Sequence, residues 1–171
     1  MSADPAVDPV LSAPRLRLGV LPTPLTQASR LAREVDAAAP LYVKRDDLAG
    51  FVTAGSKVRP LEMLVGQALE QGCDTLVTGG AATSSFCQAA ATACSVAGLG
   101  CHLLLPGEPA ERAPANLVLA EECGAQIGYT GRPRHQLDGL VQEHARALSA
   151  ASGHPALGVP RGGASDVGAL G

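Results

Sequence analysis

The residues of this chain best placed to do chemistry are a lysine and a hydroxyl-rich loop. Lys57 lies in Gly55-Ser56-Lys57-Val58-Arg59-Pro60-Leu61-Glu62, and further along Gly79-Gly80-Ala81-Ala82-Thr83-Ser84-Ser85 leads into another helical stretch. A primary amine at a loop-to-helix junction can condense with an aldehyde, which makes Lys57 a candidate Schiff-base residue for a carbonyl cofactor. The loop offers amides at a helix start, where an anion binds. Each reading has a plainer rival. Taken alone, Lys57 is a surface lysine in a helix's first turn, although the helix dipole disfavours a cation there. A glycine pair between a strand and a helix is a common turn. Arg59 and Glu62 read by default as a surface i, i+3 salt bridge, and Lys44-Arg45-Asp46-Asp47 as a solvated cluster closing a strand.

The elements that must position these groups follow from the apolar pattern. Leu41-Tyr42-Val43 reads as a strand. Ser56 is expected to N-cap a helix reaching about Gln71, with Pro60 tolerated in its first turn and Leu61, Leu64, Val65 and Ala68 as its apolar stripe. Thr75–Thr78 is a buried strand, and Phe86–Ala97 a helix of small residues ended by Gly98. Strands are expected over Cys101–Leu105, Ala125–Tyr129 and Ala156–Val159, with helices over Asn116–Cys123 and Gln136–Ser149. In the last helix Leu137, Leu140, Val141 and Ala145 face inward. Repeated strand–helix alternation predicts an α/β fold: a parallel sheet with helices on both faces. Ligands of such sheets sit beyond the C-terminal strand ends, and both candidate segments fall there.

Composition narrows the function. The 171 residues are 46% hydrophobic, 17% charged and 2% aromatic, so the core is built from small aliphatic groups. A net charge of −3 gives no reason to expect nucleic acid, and no apolar run is long enough to span a membrane. Residues 1–14 lack a signal-like basic start and apolar stretch and read as a frayed tail, pointing to the cytoplasm. Five cysteines without a CxxC pair argue against disulfides and zinc, and packing as small hydrophobes is expected of them. His102, His135, His144 and His154 show no ligand spacing, so no metal is expected.

Several segments together resemble a known family. They are Pro22-Thr23-Pro24-Leu25, Tyr42-Val43-Lys44-Arg45-Asp46-Asp47-Leu48, Gly55 to Glu62, Thr75-Leu76-Val77, Ser84-Ser85, and Gly162-Gly163 through Gly168-Ala169-Leu170-Gly171. The chain is similar, from residue 20 onward, to pyridoxal-phosphate enzymes of the tryptophan-synthase-β fold (fold type II). Within that group it resembles the aminocyclopropane-carboxylate deaminase and D-cysteine desulfhydrase branch. The resemblance implies that Lys57 forms the internal Schiff base with pyridoxal 5'-phosphate and then moves the substrate proton. It implies that Ser84 is a catalytic serine beside the substrate, and that Thr83, Ser84, Ser85 and Phe86 form the substrate-carboxylate loop. Ser85 stands where the family has an asparagine bonded to the cofactor's phenolic oxygen. Lys44 to Asp47 would be a structural support near the site. The departures are Ser56 for asparagine, Pro60 for lysine or arginine, Phe86 for histidine and Gln88 for arginine.

By the family layout the phosphate-binding glycine loop and the pyridine-nitrogen partner lie in a C-terminal half beyond Gly171. The implied organisation is a flexible tail over 1–20, part of an incomplete large domain over 21–54, a small α/β domain over 55–160, and a return segment over 161–171. Strand Leu41–Val43 would then lack sheet neighbours. The expected function is the lysine-bearing N-terminal subunit of a split pyridoxal-phosphate-dependent enzyme, active only with a separately encoded C-terminal-half subunit that supplies the phosphate loop. Its reaction on an amino acid would be elimination, deamination, or β- or γ-replacement through a Cα carbanion, hence a lyase, deaminase or transferase. The alternative is a non-catalytic binding or structural subunit derived from such an enzyme; a fragment of a longer chain is a third reading.

Overall fold

Strand β3 (Thr75–Gly79) organises the molecule because both of its faces are covered. It is the first strand of a parallel four-stranded sheet, with β4 (Gly100–Leu105), β5 (Gln126–Tyr129) and β6 (Ala156–Gly158) in the order β5-β4-β3-β6. Leu76 sits opposite Cys101 on one side and Leu157 on the other. These coordinates are a computed structural model, and they describe residues 12–171.

Alternation along the strands divides the core. Leu76, Cys101 and Leu103 face helices α2 (Val58–Glu70), α3 (Ser85–Ala97) and α4 (Ala115–Glu122). Val77 and Leu104 face α5 (Leu137–Ser152) through Leu137, Val141 and Ala145. The predicted helices on both faces are therefore present. Leu61, Leu64, Val65 and Ala68 of α2 are buried, and each such leucine or valine contributes about 1.5–3 kcal/mol. Helix α3 presents Ala89, Ala90, Ala93 and Cys94, all fully buried small side chains, to the core. Gly98, at φ 72°, ends it with the left-handed cap expected of glycine, and the Leu99 amide reaches back to the Cys94 carbonyl at 2.9 Å. Four of the five cysteines are buried and all are unpaired. Among the described residues no helix is long and apolar enough to cross a membrane.

The N-terminal third departs most from expectation. Strand β1 (Leu25–Gln27) and helix α1 (Ser29–Glu34) were not anticipated, because three exposed residues after a Pro-Thr-Pro run carry almost no pattern. Strand β2 (Tyr42–Lys44) does have a neighbour, pairing antiparallel with β1 and placing Thr26 opposite Val43. Ser56 does not N-cap α2. It sits inside a 3₁₀ turn, Gly55–Lys57, and makes no capping bond, because the turn is closed by the Lys57 amide on the Ala54 carbonyl at 2.9 Å. Residues 1–11 of the expected tail lie outside the described residues, and the tail expectation fails for the part nearest the fold. There Leu16 donates to the Glu62 carbonyl at 2.9 Å, and Leu16 and Leu18 pack against the core. Arg59 and Glu62 do not pair. Arg59 reaches Asp46 at 2.8 Å, while Glu62 takes Arg15. The segment after β6 turns back over α2, where Val167 joins the core and Gly168–Leu170 forms a final turn.

Candidate active site

Sheet topology gathers the loops that follow β3 and β6 and the turn that follows β5 at one end of the molecule. There Lys57 and Thr83, Ser84, Ser85 and Phe86 line a single cleft of about 450 Å³, with Gly79, Gly80, Arg134, Arg161 and Gly162 completing it.

The loop after β3 is tightly seated. A Cβ on Gly79 would stand 2.8 Å from the Leu104 carbonyl oxygen, and one on Gly80 would stand 2.8 Å from Cys87 Sγ. Both glycines therefore let the chain pass between β4 and the first turn of α3. Ser84 is the N-cap of α3, its Oγ accepting from the Cys87 amide at 3.2 Å. From α4, Asn116 donates to the Thr83 carbonyl at 2.8 Å and holds the loop from its other side. Ser84 can still donate its hydroxyl proton, and Thr83 and Ser85 are exposed. Ser85 and Phe86 open the first helical turn, where amides lack intrahelical acceptors and attract anions. The Phe86 ring is core: it is 3% exposed and lies against Gly163, so its amide is the only polar group it offers a ligand. Cys87 next to it is buried, and that burial pushes its thiol pKa up.

Lys57 enters the cleft from the turn before α2. Its neighbour Val58 is anchored in the core, and the segment ahead of it is tied to α3 by Thr53, which donates to the buried Gln88 at 2.9 Å. Gln88 in turn donates to Thr92 at 3.2 Å. Among the described residues the Lys57 ammonium makes no hydrogen bond or ion pair. The chain has only two lysines, and the other, Lys44, donates to both Thr23 Oγ1 and the Thr23 carbonyl.

Two arginines of the cleft went unnoticed in the sequence. Arg161 is held by Asp138 of α5 through Nε–Oδ1 at 3.0 Å and Nη2–Oδ2 at 2.8 Å, and its amide also donates to Asp138. The guanidinium holds the Asp138 carboxyl below the usual carboxylate range. Arg134, in the turn before α5, is exposed and has no partner among the described residues. No residue lining the cleft is acidic. Arg161 lies just past the end of β6, where parallel sheets place their ligands, whereas Arg134 stands farther beyond β5 in a segment it shares with Arg132.

The Lys44–Asp47 cluster braces the approach to Lys57. Asp46 accepts from Arg59 at 2.8 and 2.9 Å and from Thr23 at 2.6 Å, and these bonds, Arg59 first, hold its pKa well below the ordinary value. Arg45 pairs with Asp47 at 2.7 Å. Burial pushes the Glu62 carboxyl up, but the Gly19 and Leu18 amides and Arg15 outweigh it and leave the pKa lowered.

A family model described as "Pyridoxal-phosphate dependent enzyme" matches residues 16–164. A Pyrococcus abyssi protein with the provisional name 1-aminocyclopropane-1-carboxylate deaminase is 39% identical over 169 residues, which is 98% of this chain and 50% of that protein. D-cysteine desulfhydrase of Salmonella paratyphi B is 35% identical over 163 residues, 92% of this chain and 48% of the relative. The crystal structure of an ACC deaminase homologue superposes with a TM-score of 0.83 at 32% identity, over 98% of this chain and 50% of that one. Apo diaminopropionate ammonia lyase of Escherichia coli, at 15% identity and a TM-score of 0.58, shares the fold. The chain thus spans about half the length of the curated relatives it matches.

Proposed function

The chain belongs to the family of pyridoxal-phosphate-dependent enzymes, and on that premise we propose that it is the lysine-bearing N-terminal part of an enzyme acting on a small amino acid, completed by a second, separately encoded chain. The observation that carries this reading is the meeting, in one cleft, of an unpaired lysine and the hydroxyl-lined first turn of α3. The donor set suits the aldehyde end of the cofactor and a carboxylate. Its volume lies within the roughly 300–1,000 Å³ typical of small-molecule sites. When bound, pyridoxal phosphate supplies an electron sink for a bond broken at an amino acid's Cα.

The residues then divide the work. Lys57 would hold the cofactor aldehyde, and its Nζ, when free, would take and return a proton at the substrate. The Ser85 and Phe86 amides, with the Thr83 and Ser84 hydroxyls, orient the substrate carboxylate. Ser85 would bond the cofactor's phenolic oxygen. The second chain supplies the phosphate loop and completes a large domain to which residues 21–54 and 161–171 belong, with 55–160 as the small domain. The relatives' names point to deamination or elimination; the cytoplasmic, two-chain assembly is our proposal.

The test is borohydride reduction, in pyridoxal 5'-phosphate, of the chain assembled with its second polypeptide, followed by intact-mass and peptide analysis. One adduct on Lys57 that disappears in Lys57→Ala is the expected result. An adduct on Lys44 alone, or one that persists in the variant, would overturn the assignment. Native mass spectrometry of the chain isolated from its host should show a second polypeptide bound, whereas a cofactor-free monomer or homo-oligomer would refute the split arrangement.

A further inference from the structure

Three cations line the cleft, and they are not equivalent. Lys57 is assigned to the cofactor aldehyde. Arg161 is neutralised and immobilised by its two-pronged pairing with Asp138. Among the described residues Arg134 is left as a guanidinium without a partner, on a wall to which they contribute no carboxylate. The turn that bears it leads into α5, whose Leu137 is fully buried, so its backbone is fixed even though its side chain is exposed. Arg134 therefore stands in the turn between β5 and α5 and the α3 first turn follows β3, a guanidinium and a set of helix-start amides carried by different loops of one cavity.

An amino acid whose α-carboxylate meets the α3 amides, and whose amine lies toward Lys57, has only its side chain left to meet the remaining wall. We propose that Arg134 is a specificity-determining residue that selects amino acids carrying a second anionic group, a side-chain carboxylate or phosphate. A guanidinium is suited to this because its planar donors bind either group through two parallel bonds. Arg161, already satisfied, shapes the wall and keeps a nearby carboxylate from pairing with Arg134: Asp138 accepts three bonds from Arg161 and has little capacity left.

The inference rests on the amino-acid reading of the site, and the experiment separates the two. The chain assembled with its second polypeptide, wild type and Arg134→Gln, is titrated with aspartate, glutamate, O-phosphoserine and alanine by isothermal calorimetry, and each complex is also reduced with borohydride in pyridoxal 5'-phosphate and, separately, in pyridoxal. The dianionic amino acids should bind wild type about tenfold more tightly than alanine, the scale of one charge-assisted contact, and the ratio should fall to near one in Arg134→Gln. Arg134→Lys should keep part of the preference, and Lys57 labelling should be equal in all three proteins. A ratio unchanged by Arg134→Gln, or no preference in wild type, overturns the proposal while Lys57 labelling leaves the enzyme reading standing. Loss of labelling by pyridoxal 5'-phosphate but not by pyridoxal in Arg134→Gln would assign Arg134 to the cofactor phosphate and also overturn it. Absence of any Lys57 adduct in wild type would sink the enzyme reading itself. Phosphoserine binding without aspartate or glutamate binding would narrow the supported class to phosphate.

Discussion

At Glu62 the N-terminal segment and α2 meet through one carboxylate. It is 1% exposed and accepts from the Leu18 and Gly19 amides at 2.8 Å each and from Arg15 Nε at 2.7 Å. Glu62→Gln removes the charge and turns one acceptor into a donor facing donors, at a cost of about 1–3 kcal/mol. The sign with pH follows from the lowered pKa. A carboxyl held below its ordinary value of 4.5 contributes stability above that value and loses it as pH falls through the folded one. The gap in urea midpoint between wild type and Glu62→Gln should thus be widest near neutrality and close below pH 4.5. A gap that stays constant down to acid pH would show that packing, not charge, holds the segment.

The site depends on elements that the sequence revealed unevenly. Strands β3 to β6 and helices α2 to α5 were legible because their apolar periods are strong, and their ends shifted by at most three residues. The N-terminal elements β1 and α1 were not, since exposed residues in short segments carry no burial pattern. Lys57 and the hydroxyl-rich loop could be singled out by type and spacing, and Ser84 within that loop only by the family resemblance. Arg134 could not be told from the other arginines without the topology that carries β5 to the same end as β3. Ser56 was misjudged because a cap was sought by residue type, while the chain enters α2 through a 3₁₀ turn. The loop after β3 gives a test of element packing. Gly80→Ala would press on Cys87 Sγ and shift the start of α3, costing about 1–3 kcal/mol and weakening amino-acid binding. Adding Cys87→Ala, which removes that sulfur, should recover a measurable part of both losses; a purely additive double variant would mean the clash lies elsewhere.

Across the whole molecule, uncovered apolar surface concentrates in the N-terminal third. Val20, Leu25, Leu31, Val35, Tyr42 and Val43 are all exposed, while the four-stranded sheet is enclosed by its helices. Every residue of β1 and β2 is exposed, and two strands alone form a marginal sheet. The isolated chain should therefore bind 8-anilinonaphthalene-1-sulfonate and be cut first between residues 20 and 43, and adding the proposed second chain should suppress both signals. Protection of this segment in the isolated chain would show that the surface is covered by the chain itself.

The same Glu62 contacts set an order of events during synthesis. Their partners lie 43 to 47 residues apart in the chain. At about 5–20 residues per second, a ribosome emits the segment around Leu18 roughly 2–9 s before the carboxylate that will receive it. The first part of the chain to appear is thus among the later parts to find its place, and it waits with its leucines exposed until α2 has formed. Chaperone demand should fall on that interval, so a slower passage through the codons for α2 should lower the soluble yield more than the same pause placed after α5.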